Sequence, residues 1–274
     1  MAAEAISDRA KRAFPSVGQY KLVFAQHWLA YVNMVLGALV LAPFAAPVFM
    51  AVGAEPAGRV IYFFYGLLCH QLPERSFFLF GPQVSYSIAE VGRVWPTGDF
   101  LTLRQFVGNS AMGWKVAWSD RMVAMYGSIW LGSLLYAIFR QRREELTGKT
   151  SLHVLAWLLL GILPFGIDGV THTINDMMVG LAGTGFRNTN AWLALLTGNL
   201  LPATFYAGDA VGSFNNLARL VTGALFGFLT VWFIYPFIDW AMHEWEQGLR
   251  VRLSIQDTSP FSSLLSVSGQ PRSE

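Results

Sequence analysis

A chain of 274 residues that is 54% hydrophobic and only 13% charged lies far from soluble domains, where about a quarter of residues carry charge. Its 19 Lys and Arg against 17 Asp and Glu leave a net charge of +2, so no basic surface points to nucleic acid and none is expected as a partner. A single cysteine excludes an internal disulfide.

Residues 1–27 read as a cytoplasmic N-terminal segment. Arg9, Lys11, Arg12 and Lys21 precede the first apolar run, and basic residues beside a span are retained in the cytoplasm. No short apolar core with a small-residue cleavage site stands before that run, so the start reads as mature, with AISDRAKRAF as an amphipathic surface helix. The first crossing is expected over residues 28–52, with Pro43 and Pro47 inside it. Residues 59–81 supply only about ten apolar positions before polar ones arrive, which predicts a short, broken or re-entrant segment.

Residues 82–120 mix charge, glycine and aromatics, as expected of an ordered extramembrane loop with one or two short surface helices. A crossing over 122–139 runs into RQRREELTGK, whose Arg140, Arg142, Arg143 and Lys149 form a second cytoplasmic marker. Two markers on one side require an even number of crossings between them, so residues 59–81 are not expected to cross. Further segments follow at 152–167, at 190–208 (broken by Gly198 and Pro202) and at 217–240, where Gly223 and Gly227 set the small-xxx-small spacing of close helix packing. The expected fold is an all-α polytopic membrane bundle of about six embedded helical segments, give or take one, two of them short or broken. Residues 28–245 form its single transmembrane domain, and 246–274 a polar, disordered tail.

The charged residues inside this apolar frame are the candidate site. LLCHQLPERSF, residues 67–77, gathers Cys69, His70, Gln71, Glu74 and Arg75. Three readings are open. Cys69 and His70 could begin a metal site, but adjacent helical residues point about 100° apart, and further ligands would have to come from His153, Asp168 or His172. The structural reading makes Cys69 buried filler, with Pro73 ending the helical ladder and His70, Gln71 and Arg75 serving freed carbonyls. In the third, His70 or Gln71 donates to a quinone or lipid headgroup.

Asp168 and His172 share a helix face at i, i+4, and Arg219 opens the last apolar run. An Asp168–Arg219 pair across the bundle is predicted, because intramembrane charges pair. Asp239 and His243, flanked by Trp240 and Trp245, read as interfacial anchors. No histidine pair has a dihaem arrangement, and HExxH, GxSxG and phosphate-loop motifs are absent, so no catalytic residue and no cofactor-binding motif is identified.

CHQLPERSFFLFG (69–81), LPFGIDGVTH (163–172) and NNLARLVTGALFG (215–227) together resemble an uncharacterised family of bacterial multi-pass membrane proteins, a domain of unknown function with a Cys-His-Gln then Pro-x-Arg-Ser signature. That family carries a second motif, Cys-x-Arg-Asp or Cys-x-Arg-Cys, before a span beginning aliphatic-Tyr-Gly. The similar stretch here is SDRMVAMYG, with Ser119 and Met122 at the two distinguishing positions and Arg121, Tyr126 and Gly127 retained. The resemblance implies a polar cluster of Cys69, His70, Gln71, Arg75, Arg121, Asp168 and Arg219. It also implies that a thiol or metal centre built on both motifs would be reduced here to its scaffold.

The expected function is that of a non-enzymatic accessory subunit of a bacterial inner-membrane energy-transducing complex, either photosynthetic (reaction centre and antenna) or respiratory. Its partners would be other membrane subunits and lipids, with a quinone or pigment nearby. The 10 Trp and 21 Phe suit such a lipid- and helix-facing chain. A membrane enzyme or metal-handling protein using Cys69 and His70, and a small-solute transporter with Asp168 and Arg219 along its pathway, are the alternatives.

Overall fold

The computed structural model describes residues 16–97, 99–140, 154–181 and 183–258. The whole of AISDRAKRAF (5–14), the basic stretch beyond Arg140, His153 and the end of the tail lie outside them. Four helical segments are long and apolar enough to cross a membrane: Val17–Ala51, Asp120–Phe139, Val154–Val179 and Phe214–Ser254. They coincide with four of the six expected segments, and the protein is a helical membrane protein.

The first helix, α1 (Val17–Ala51), carries Pro43 and Pro47 inside it. It starts within the expected N-terminal segment, where Ser16 and Gln19 cap it reciprocally: Ser16 N–H donates to Gln19 Oε1 at 2.7 Å and Gln19 N–H to Ser16 Oγ at 3.3 Å. The next helix, α2 (Glu55–Gly66), has 12 residues. It rises about 18 Å against a core of about 30 Å, too little to cross. If each of the four helices long enough to cross does so once, the ends at Ala51, Asp120, Val179 and Phe214 share one side with residues 52–119 and 180–213.

Residues 82–120 hold the two short helices expected, α3 (Ile88–Val94) and α4 (Phe100–Leu103). They also hold strands that an all-helical reading did not foresee. A Pro73–Arg75 3-10 turn leads into β1 (Ser76–Leu79), and β2 (Gly108–Asn109) and β3 (Gly113–Ser119) complete an antiparallel sheet in the order β1-β3-β2. Trp114, Val116 and Trp118 on alternate positions of β3 and the adjacent Phe77 and Phe78 of β1 supply the strand preference. Gly113, at φ +79, sits so tightly against the Leu79 carbonyl that a β-carbon there would overlap it. The register sets Phe78 opposite Lys115 and Ser76 opposite Ser119, so the chain just after Cys69 meets the start of the next long helix, α5 (Asp120–Phe139). Leu72, Phe78, Tyr86, Val91, Leu103, Phe106 and Met112 form the apolar core of this cap.

A π-helical stretch, Trp157–Ile162, feeds α6 (Leu163–Val179). Short helices α7 (Phe186–Thr189), α8 (Ala191–Leu196) and α9 (Ala203–Tyr206) follow, none long enough to cross. The last helix, α10 (Phe214–Thr258), extends well into the expected disordered tail.

The chain divides into two compact units, Asn33–Phe233 and Met1–Val32 with Ile234–Glu274. In the second of these, Trp28 Nε1 donates to Asp239 Oδ1 at 3.1 Å and the Trp28 ring packs edge-on to Tyr235. Asp239, expected as an interfacial anchor, is thus a hydrogen-bond acceptor inside the protein.

In the larger unit, α5 and α10 approach closely at the small-residue spacing. A β-carbon on Gly223 would lie 3.0 Å from Arg121 O, and one on Gly227 would overlap Ser128 Oγ. Gly227→Ala is expected to cost about 1–3 kcal/mol through overpacking, read as a lower melting temperature in detergent. Gly166→Ala, where a β-carbon meets nothing within 4 Å, should leave it unchanged.

Candidate functional site: two buried ion chains and an enclosed thiol

After α2 the chain unwinds so that Gln71 takes a left-handed conformation, φ 53. Its side chain explains why: Nε2 donates to Tyr62 O and Ala117 O, both at 2.9 Å, tying the end of α2 to β3. This turn closes Cys69 in. The thiol sulfur accepts from the backbone N–H of Gln71 and of Ser119, each at 3.4 Å, and lies 3.5 Å from Ser119 Oγ. The two positions at which the resemblance places cysteine motifs are therefore neighbours, joined by the β1–β3 register. His70 is not part of this group. It is exposed and packs edge-on against Phe100, because a residue adjacent to a buried one on a turning chain faces the other way.

Beneath the turn, Lys115 is 0% exposed and donates from Nζ to Gln71 O at 2.6 Å and Arg104 O at 2.7 Å. Burial pushes its ammonium down to about 7, partly offset by Glu74. Glu74, 3% exposed, has no hydrogen-bond partner on either oxygen. Burial pushes its carboxyl up to about 7 against the opposing pull of Arg75.

Next to Glu74 runs a chain of ion pairs. Arg75 grips Asp176 with two bonds of 2.8 and 3.0 Å and donates from Nε to Asp209 at 2.9 Å. Arg219 donates from Nη1 to Asp209 at 2.6 Å, and from Nε and Nη2 to Asp120 at 2.7–2.9 Å. Asn216 adds a 2.7 Å bond to Asp120. The sequence Asp176–Arg75–Asp209–Arg219–Asp120 alternates in sign and ends in acids. Burial opposes ionisation of Asp209, yet Arg75 and Arg219 together hold its carboxyl far below the usual range.

A second chain, Arg121–Asp168–Arg187, ends in cations. Arg121 Nη2 donates to Asp168 Oδ2 at 2.6 Å and Arg187 Nη2 donates to Oδ1. His172 lies 3.7 Å from the same carboxylate, on the helix face that the i, i+4 spacing predicts, and neither ring nitrogen has a hydrogen-bond partner. The expected Asp168–Arg219 pair does not form: each finds nearer partners, Arg121 and Arg187 for Asp168, Asp120 and Asp209 for Arg219.

The structure thus brings Arg75, Arg121, Asp168, His172 and Arg219 into one region, with Cys69 and Gln71 at its edge and His70 outside. Sequence reading passed over Lys115, Asp120, Asp176, Arg187 and Asp209. Their signal was present: in a chain with so few charges, INDMM, GFRNT and YAGDA each set one ion among apolar or small residues. Among the described residues no group of three or more His, Cys, Asp or Glu is placed to hold a metal ion.

Residues 109–233 match a family model described as "Predicted membrane protein (DUF2085)". The matched stretch includes Ser119, Arg121, Asp168 and Arg219 but not the Cys69 turn. An uncharacterised protein of the archaeon Methanocaldococcus jannaschii is 23% identical over 177 residues, covering 64% of this chain and 67% of that protein. No solved structure matches the chain. These similarities support a membrane protein family of unknown function.

Glu74 yields a pH test. Its folded carboxyl titrates near 7 against an ordinary 4.5, so the folded state binds the proton more tightly. The stability it contributes is full below about pH 4.5 and is lost as pH rises through about 7. Lys115 acts only above that window, between about 7 and its ordinary 10.5. Wild type should therefore lose about 2–3 kcal/mol between pH 5 and 7 relative to Glu74→Gln, measured by parallel unfolding curves.

Proposed function

We propose that this chain is a non-enzymatic accessory subunit of an energy-transducing complex in a bacterial inner membrane, packed against partner subunits and lipid. The observation that carries this reading is that the charges of the two ion chains are paired with one another. The arginines and aspartates of both ion chains are paired within the protein, while its flanks expose large apolar residues such as Leu134, Ile138, Ile167, Met177 and Met178. Such flanks suit lipid or neighbouring helices. Against an enzyme built on Cys69 and His70 stands their geometry, since the thiol is enclosed and the imidazole faces outward.

The basic stretches before α1 and after α5 belong in the cytoplasm under the charge rule. The cap, Cys69 and both ion chains then face the periplasm, where a bordering quinone or pigment would meet the outer ends of the helices.

Gentle solubilisation from native membranes, native electrophoresis and an absorption spectrum of the band test the proposal. Stoichiometric migration with larger pigment- or haem-bearing partners is expected. Migration of the chain alone, with all of it recovered, contradicts it.

A further inference from the structure

A pocket of about 540 Å³ opens beside the cation-ended chain. Leu163 and Ile167 of α6, Phe186 of α7, Trp192 of α8 and Phe214 of α10 form its walls, and Asp168, Thr171 and Arg187 supply its polar atoms. The lining therefore combines two chemistries. Leu163 and Ile167 are half exposed on a helix long enough to cross the membrane, whereas Arg187 is only 8% exposed.

Charge distinguishes this pocket from a plain apolar groove. Arg121 and Arg187 share the single carboxylate of Asp168, so that two cations meet one directly paired anion, with Asp120 and Asp209 of the acid-ended chain acting on them without a direct bond. The acid-ended chain sets Asp120, Asp176 and Asp209 against Arg75 and Arg219, leaving one negative charge there. The Arg187 guanidinium makes one hydrogen bond, through Nη2, and its Nε is buried without a partner. Its plane lies over the Phe214 ring, 5.8 Å from the centroid. A buried guanidinium with donors to spare, in the lining of an apolar slot, calls for an anion carried on a hydrophobic chain.

We propose that this pocket binds the phosphate headgroup of an anionic phospholipid, with the phosphate on Arg187 and an acyl chain along Leu163 and Ile167. This inference does not rest on membership of a larger complex. The binding of a lipid here would give the spare donors of Arg187 an acceptor and seat the α6–α10 side of the protein at a fixed depth.

The test uses the full chain purified in mild detergent, with phosphatidylglycerol, phosphatidylcholine and inorganic phosphate as separate probes, read by native mass spectrometry and thermal unfolding. Phosphatidylglycerol should be retained and should raise the melting temperature, with an affinity about ten-fold or more above that for phosphatidylcholine. Arg187→Gln should abolish that preference. Since Arg187→Gln also loosens Asp168, Ile167→Trp serves as the second variant: it fills the slot at a half-exposed position and leaves both ion chains intact. It should lose lipid retention while its melting temperature in detergent alone stays at the wild-type value. Equal retention of the two lipids, unchanged retention by Ile167→Trp, or saturation of the site by inorganic phosphate alone each overturns the proposal.

Discussion

The alternating chain Asp176–Arg75–Asp209–Arg219–Asp120 is the constraint on which the larger unit depends. Its members come from the end of α6, the 3-10 turn before β1, the loop after α9, the start of α10 and the start of α5. Side-chain exposures between 2% and 16% mean that each ion has left water and must find its counter-charge inside the protein. Such a network adds little net stability over a well-packed apolar core, but removal of one member leaves an uncompensated charge that costs about 3–5 kcal/mol. Its value lies in specificity. Apolar helices in a bilayer have many acceptable neighbours, and this alternation of sign admits one arrangement of the helix ends.

The small sheet supplies the second half of that arrangement. Through the pairing of Ser76 with Ser119, it carries the turn holding Gln71, Glu74 and Arg75 to the start of α5, so that two stretches far apart in sequence share one polar floor. Lys115 sits at the middle strand, tied by its ammonium to the turn above it. Glu74 and Lys115 are the two groups in this floor whose charges burial opposes most directly, and both titrate near neutrality. The floor is therefore the part of the cap most responsive to pH. At the opposite end of the network, Gly223 and Gly227 let α5 and α10 come close enough for Asp120 to reach Arg219.

Much of this is legible in the residues. Hydropathy locates the four long helices, and the parity of the basic stretches excludes residues 59–81 as a crossing. The i, i+4 spacing places His172 beside Asp168, intramembrane cost marks Asp168 and Arg219 as ions in need of partners, and the resemblance adds Arg75 and Arg121 to their cluster. Partner choice is not legible. Asp168 and Arg219 are opposite charges, each at the edge of an apolar run, but depth along the helix and the chain reversal after α6 decide which ion each meets, and single-chain patterning carries no such distance. The strands escape for a related reason: GWKVAWS alternates Trp114, Val116 and Trp118 with small or charged residues over only seven positions, and its pairing with Ser76–Leu79 depends on the turn that Gln71 holds. His70 groups with Cys69 by adjacency alone, which on a turning backbone separates side chains.

The most direct test of the central claim is a double-mutant cycle on Asp120 and Arg219, with reversible unfolding of the wild type, Asp120→Leu, Arg219→Met and the double variant measured in one detergent at one pH. If the ion chain fixes the helix ends, each single change costs about 3–5 kcal/mol and the double variant recovers at least about 1 kcal/mol relative to the sum. Strict additivity, or single changes that leave stability at the wild-type level, would show that the helices find their places without the chain and would contradict the account.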